Sequence, residues 1–252
     1  MLEFKRVSVS VGKTPILKDI SVQFKKGEIT TVIGPNGCGK TTLLQTLNAM
    51  SHVTSGGIFL DGEDYLKLKP RERARRLSFM PQLRENAPCI TVKGLVEHGR
   101  FPYMGFSRKM STEDTEAVEN AMTYVNIKDC AKDYVNELSG GQQQRAYLAM
   151  QLAQSCEYIV MDEPMNYLDF PGQREMYELV WRLKSEGRTV ILVLHDLNQA
   201  LRISDRLVIM QNRRLEGSFT PEECLENGII DRVFNCRVST VSIEGKTQYM
   251  FL

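Results

Sequence analysis

The stretch 29–42 constrains this chain more than any other. Ile29-Thr30-Thr31-Val32-Ile33 is β-branched throughout and apolar at its end, the pattern of a buried strand. It runs into Gly34-Pro35-Asn36-Gly37-Cys38-Gly39-Lys40-Thr41-Thr42, after which Leu43, Leu44 and Leu47 recur at helical spacing. Gly34-x-x-x-x-Gly39-Lys40-Thr41 is the phosphate-binding loop pattern, in the strand-to-helix context that the pattern requires. Glycines let the backbone curl so that successive N–H groups point inward at phosphate oxygens, and the helix start adds positive potential. Lys40 is expected to bridge β- and γ-phosphates, and the Thr41 hydroxyl to ligate Mg²⁺. The competing reading is a glycine-rich turn followed by a chance Lys-Thr. It leaves the flanking strand and helix without a purpose.

Composition narrows the setting. The chain has 252 residues with formal net charge +1, 42% hydrophobic and 25% charged. Those values exclude a disordered tail, a fibrous repeat and a disulfide mini-scaffold, and allow one large α/β domain or two small ones. Near-neutral charge supplies no global drive toward nucleic acid or anionic lipid. The longest aliphatic run, 190–194, is far shorter than the roughly 18–20 residues of a membrane span. Met1 opens onto Glu3, Lys5 and Arg6, so no secretory signal is expected and the protein reads as soluble and cytosolic. Cys38, Cys89, Cys130, Cys156, Cys224 and Cys236 form no C-x-x-C pair, and none lies near His52, His98 or His195 in sequence. Reduced, mostly structural thiols are expected rather than disulfides or zinc.

The remaining pattern is α/β. Residues 2–9 mostly alternate and Ile20-Ser21-Val22-Gln23-Phe24 alternates cleanly, which predicts an antiparallel layer with one wet face. Tyr158-Ile159-Val160-Met161 and 189–194 read as further buried strands, separated by a helical pattern at Met176, Leu179, Val180 and Leu183. Strands alternating with helices imply a mostly parallel sheet. Residues 84–157 lack a strong strand and read as an inserted helical subdomain, with helices at 111–125 and 141–154. The second helix offers Tyr147, Leu148, Met150, Leu152 and Ala153 to a core. The expected division is one domain over 1–252: a nucleotide-binding core from 1–83 and 158–236, the helical subdomain, and a C-terminal hairpin at 237–252 turning at Glu244-Gly245. The basic stretch 67–76 has no interleaved aromatics, and Leu68, Ala74 and Leu77 fit one helical face. A solvated helix is expected there, without nucleic-acid contact.

Two further motifs carry chemistry. The strand 158–161 ends in Asp162-Glu163. One carboxylate after a buried strand often caps a helix, but a pair beside a phosphate loop fits Mg²⁺ coordination through water by Asp162 and polarisation of the attacking water by Glu163. Leu138-Ser139-Gly140-Gly141-Gln142-Gln143-Gln144-Arg145 opens an apolar-faced helix. Ser139 suits a plain N-cap, while a glycine pair after it lets backbone N–H groups approach a second phosphate.

Ser139-Gly140-Gly141-Gln142 matches the signature of ABC ATPases, and the chain resembles that family over nearly its whole length. Gln82, after Met80-Pro81, stands at the Q-loop position; Asn166-Tyr167-Leu168-Asp169 resembles the D-loop; His195 resembles the H-loop histidine that meets the γ-phosphate. The resemblance implies a phosphate-loop NTPase core with an antiparallel β layer and a helical arm. It implies ATP and Mg²⁺ as cofactors, with Thr41, Gln82 and Asp162 at the metal and Glu163, Gln82 and His195 in catalysis. One phosphate loop and one signature per chain imply a head-to-tail homodimer enclosing two ATPs, with Ser139, Gly140, Gly141, Gln142 and Asp169 serving the composite site. Glu97-His98-Gly99-Arg100-Phe101-Pro102-Tyr103 and Leu152-Ala153-Gln154 resemble ATPase subunits of iron–siderophore, haem and cobalamin importers. That group implies permease subunits in the membrane, indirectly a substrate-binding protein, and a peripheral place on the cytoplasmic face. The alternative is a soluble ABC ATPase of iron–sulfur cluster assembly.

Three positions depart from the family. Val11 stands where an aromatic stacks on adenine, with Phe4 and Tyr65 as nearby rings able to swing in. Met165 replaces a Thr or Ser, and Tyr167 stands where His is common. Cys38, within the loop near a helix start, is expected to have a lowered pKa and to be a maleimide target that MgATP protects.

Overall fold

The computed structural model describes residues 1–82, 87–105, 109–166, 168–243 and 246–251. Two compact units emerge: Met1–Lys67 with Thr189–Leu252, and Leu68–Arg188. In chain order the first unit supplies β1 (Leu2–Val11), β2 (Thr14–Phe24), β3 (Ile29–Ile33), α1 (Lys40–Gln45), β4 (Val53–Leu60) and β5 (Glu63–Asp64). The second supplies α2 (Pro70–Arg76), β6 (Leu77–Met80), α3 (Val92–His98), α4 (Thr112–Tyr124), α5 (Gly140–Ala153), β7 (Tyr158–Asp162) and α6 (Phe170–Ser185). The first unit resumes with β8 (Thr189–Val193), α7 (Leu197–Ile203), β9 (Arg206–Gln211), β10 (Arg214–Phe219), α8 (Pro221–Glu226), α9 (Ile229–Phe234), β11 (Val238–Ile243) and β12 (Lys246–Phe251).

The first unit carries the expected antiparallel layer, ordered β2-β1-β4-β5. Its imperfect alternation has a cause. Leu2 and Phe4 are buried, then Val7 and Val9, so the inward phase slips by one residue between them. The β1–β2 register shifts at that point, and Arg6 takes φ +49. This is a bulge, in which one extra residue resets the side-chain phase. Gly56 on β4 lies opposite with φ +82, and a Cβ there would come within 2.2 Å of the Arg6 carbonyl oxygen. Only glycine lets β4 pass the bulge. On β2, Ile20, Val22 and Phe24 point inward as predicted, with Phe24 edge-on to Phe4 at 5.8 Å.

β3 is buried at every residue and pairs in parallel with β8 on one side and β9 on the other. A strand covered on both faces has no wet side, which is why 29–33 shows no alternation. Antiparallel β10 continues the sheet beyond β9. β11 and β12 form the C-terminal hairpin, from Val238↔Phe251 to Ile243↔Lys246. Its expected turn residues Glu244 and Gly245 lie outside the described residues.

In the second unit β6 and β7 run parallel, Leu77 opposite Tyr158 and Met80 opposite Met161. α5 buries Leu148 and Ala153 as expected, whereas Tyr147, Met150 and Leu152 are half-buried. Its buried face also includes Gln144 and Gln151, whose amides donate to the carbonyls of Pro164 (2.7 Å) and Val160 (2.8 Å). Apolar spacing alone cannot find glutamines buried because a carbonyl awaits each of them. Another correction concerns the basic stretch. The helix ends at Arg76 and Leu77 starts β6, so Leu77 is not on its face, and α2 buries no residue. Two of its arginines hold the chain at 102–104: Arg71 donates to the Met104 carbonyl, and Arg75 Nε to that of Pro102 at 2.9 Å.

Candidate functional site

In the first unit, β3 delivers the chain into the phosphate loop. Gly34 packs so closely that a Cβ would lie 2.2 Å from the Met210 carbonyl oxygen and 2.7 Å from Cys38 Sγ. Gly37 and Gly39 take φ +74 and +105, and Cys38 N–H donates to the Pro35 carbonyl at 3.3 Å. Lys40 is buried, and its Nζ donates to the carbonyls of Gly34 (2.8 Å) and Pro35 (3.2 Å). The ammonium has three donors, so it can brace the loop and still offer one outward. The start of α1 has no side-chain cap and no acidic residue in its first turn. The partial positive charge of a helix start suits an anion. Asn36 is exposed, and Thr41 and Thr42 are half-buried. His195 follows β8 and is exposed, held between buried Leu194 and Asp196, which caps α7 through Asn198 N–H at 2.8 Å. The packed histidine that a lone His usually becomes is not what the structure shows.

In the second unit, Asp162 is the last residue of β7 and is buried. Glu163 follows with φ +56, a left-handed conformation that costs a side-chain-bearing residue about 1–3 kcal/mol. Its Oε2 accepts from Gln82 Nε2 at 2.7 Å and from Asn166 Nδ2. The structure thus brings together Gln82 and Glu163, whose relation the sequence left open, and adds Asn166, to which no role was assigned. The signals for Asn166 were its place at the head of the D-loop resemblance and its position three residues beyond Glu163 with Pro164 between them. Tyr167 lies outside the described residues.

Ser139 caps α5 through a complete box: Gln142 N–H donates to Ser139 Oγ at 3.4 Å, and Ser139 N–H to Gln142 Oε1 at 3.0 Å. The N-cap reading is realised, and it also presents exposed Gly140 at the head of the helix. Asp169 caps α6 through Gly172 N–H at 2.9 Å. Ser139, Gly140, Gly141, Gln142 and Asp169 line one groove of about 830 Å³. Among the described residues no cluster of three or more His, Cys, Asp or Glu could hold a metal by itself.

Matched against known families, residues 17–166 fit the model described as ABC transporter. The chain belongs to the ABC transporter family. It is 39% identical to a petrobactin import ATP-binding protein of Bacillus anthracis, FpuD, over 97% of this chain and 90% of that protein. It is 37% identical to the ferric enterobactin transport ATP-binding protein FepC of Escherichia coli K12, over 94% and 88%. Among solved structures, an inward-facing metal-chelate type ABC transporter matches in fold with TM-score 0.84 at 24% identity, over 100% and 97% of the two chains. The dimeric ABC cassette MJ0796 matches with TM-score 0.77 at 28% identity, over 88% and 99%. The fold is therefore that of ABC ATPase cassettes, and ATP is the family's nucleotide. Dimeric cassettes among the neighbours support a dimer, and importer relatives imply a permease partner. Among the described residues no helix is long and apolar enough to cross a membrane.

One departure from the ABC pattern, at Val11, and the expectation for Cys38 resolve differently. Val11 is 70% exposed, and the rings expected to replace its missing aromatic are both locked in. Phe4 is buried against Phe24, and Tyr65 is buried with its hydroxyl donating to the Leu47 carbonyl at 2.8 Å. Neither can swing out without opening the core. An aliphatic contact holds a purine less selectively than a ring face, whose stacking is worth about 1–3 kcal/mol. GTP should support hydrolysis within about tenfold of ATP, and Val11→Tyr should tighten ATP binding by about 1 kcal/mol. Parallel titrations of both nucleotides check this; strong ATP preference unchanged by the tyrosine contradicts it.

Cys38 reverses its expectation. It is 4% exposed, and burial pushes its thiol up although the nearby Lys40 charge opposes the shift. Desolvating a thiolate costs more here than one ammonium and the loop N–H groups return. Cys156 and Cys224 are pushed by burial up to about 12. Cys89 is exposed, and all six cysteines are outside disulfides. Timed maleimide labelling read by peptide mass spectrometry should modify Cys89 first and Cys38 slowly, with no rapid loss of ATPase. Fast modification of Cys38 that MgATP prevents would restore the original expectation.

Proposed function

We propose that this chain is the ATP-hydrolysing subunit of an importer for iron–siderophore complexes or related metal chelates. The observation that carries the reading is its similarity, over almost its entire length, to petrobactin and enterobactin import subunits. None of these relatives is an iron–sulfur assembly protein. In this reading the chain works as a head-to-tail homodimer, peripheral on the cytoplasmic face, beneath permease subunits fed by a substrate-binding protein.

Residues 34–42 hold the triphosphate. The uncapped start of α1 and the braced Lys40 fit that role. The Thr41 hydroxyl, Asp162 through water and the Gln82 amide oxygen hold Mg²⁺; these are hard oxygen donors, few in number, as that ion prefers. Bound there, Mg²⁺ neutralises charge on the phosphates. Glu163 polarises the attacking water and His195 contacts the γ-phosphate. Ser139, Gly140, Gly141, Gln142 and Asp169 close the composite site from the other subunit. ATP binds the closed dimer better than the open one, and hydrolysis removes that difference. Residues 84–157 form the arm that bears the signature.

Affinity purification from solubilised membranes tests the reading. A hydrophobic permease should copurify, and deleting the gene should abolish uptake of labelled iron–siderophore. Copurification with soluble iron–sulfur scaffold proteins, with uptake intact, overturns it.

A further inference from the structure

The turn after β7 places at Glu163 a side-chain amide, that of Asn166, which the catalytic assignment leaves without a task. Pro164 takes the second position of the turn 163–166, where its ring pre-sets φ, and Asn166 N–H closes the turn onto the Glu163 carbonyl at 3.2 Å. This closure returns the Asn166 side chain to the residue three positions before it, where Nδ2 donates to Glu163 Oε2. The turn is anchored from behind. Gln144, 2% exposed on α5, donates its amide N–H to the Pro164 carbonyl at 2.7 Å. Glu163 therefore holds a left-handed conformation within a turn tied at both its backbone and its side chain.

We propose that Asn166 is a positioning residue for Glu163, with Gln144 as the anchor of the turn that carries them both. The inference rests on Glu163 being the group that polarises water. Gln82 and Asn166 donate to the same oxygen but are held differently. Gln82 is exposed and stands 81 residues away in sequence, so its contact lasts only while the segment after β6 stays in place. Asn166 shares one closed turn with its acceptor, so donor and acceptor move together. When Gln82 turns to the metal, Asn166 keeps the carboxylate aimed. Aim matters because a base acts only along the line to its proton, and small misplacements cost large factors in rate.

Asn166→Ala should lower kcat by about tenfold to a hundredfold, the scale on which one hydrogen bond to a charged acceptor acts. KM, ATP affinity by calorimetry and ATP-driven dimerisation by size-exclusion chromatography should stay within about twofold. Asn166→Ser, which keeps a short donor, should recover part of the rate. Gln144→Met should lower kcat in the same way, with thermal melting confirming a folded chain. In a Glu163→Gln background, Asn166→Ala should cost nothing further, because positioning an absent base is worthless. If Glu163→Gln hydrolyses ATP normally, the underlying assignment fails. If that variant is slow but Asn166→Ala retains wild-type kcat, or the loss recurs unchanged when Asn166→Ala is combined with Glu163→Gln, the positioning role alone fails. Loss of ATP affinity in step with kcat likewise assigns Asn166 to general structure.

Discussion

Glu163→Gln should bind ATP, hydrolyse it about 10²–10⁴ times more slowly and accumulate as an ATP-bound dimer. The substitution is clean in this site. A glutamine has the same length, and its carbonyl oxygen can still accept from Gln82 Nε2 and Asn166 Nδ2. Only the basicity of the oxygen is lost, so a slow variant reports on chemistry rather than on collapse of the turn. Single-turnover hydrolysis with saturating Mg²⁺, alongside size-exclusion chromatography, measures both halves of the expectation. Turnover within about threefold of wild type would make Glu163 a turn-start carboxylate and no more.

Arg100→Met should cost about 3–5 kcal/mol of stability, the largest effect expected from one substitution away from the nucleotide. Arg100 Nε donates to Asp114 Oδ1 at 2.8 Å, with both side chains more than nine-tenths buried. Its Nη1 donates to the Ala153 carbonyl at 2.7 Å, and its guanidinium lies 3.9 Å from the centre of the Tyr103 ring. The pair ties the end of α3 to the start of α4 and the end of α5. Methionine fills much of the space yet takes the charged partner from a buried carboxylate, which keeps just the Ser111 N–H and hydroxyl, and leaves the Ala153 carbonyl to the Ser155 hydroxyl. Chemical denaturation measures the loss; a change below about 1 kcal/mol would mean that water reaches Asp114.

The same pair sets an acid limit. Burial raises the Asp114 pKa, but the Ser111 backbone N–H, the Arg100 guanidinium and the Ser111 hydroxyl together outweigh it and hold the carboxyl below its ordinary 3.8. A depressed pKa contributes stability above the unfolded value and loses it as pH falls through the folded one. The contribution of Asp114 should thus be whole at neutral pH, begin to fall near the ordinary 3.8 and be lost as pH drops through the lower folded value. Asp114→Asn should flatten that part of the acid denaturation curve.

Whatever depended on neighbours in the chain was legible in the sequence. The buried run 29–33, the loop 34–42 and the helix behind it are one continuous segment, so spacing and residue type specify them. The same holds for the alternation 20–24, the cap at Ser139 and the carboxylates ending β7. The tertiary structure decided what depends on partners brought from afar. The bulge at Arg6 requires Gly56 on another strand. Gln144 is buried because the Pro164 carbonyl lies within reach, and Arg100 because Asp114 and the Ala153 carbonyl do. Cys38 loses its expected acidity because packing removes water from it, a matter of burial that a helix-start rule does not contain. Glu163 meets Gln82 across 81 residues of chain. Periodicity records which face of an element is apolar, whereas hydrogen bonds between distant segments follow directions and distances that exist only after the chain has folded.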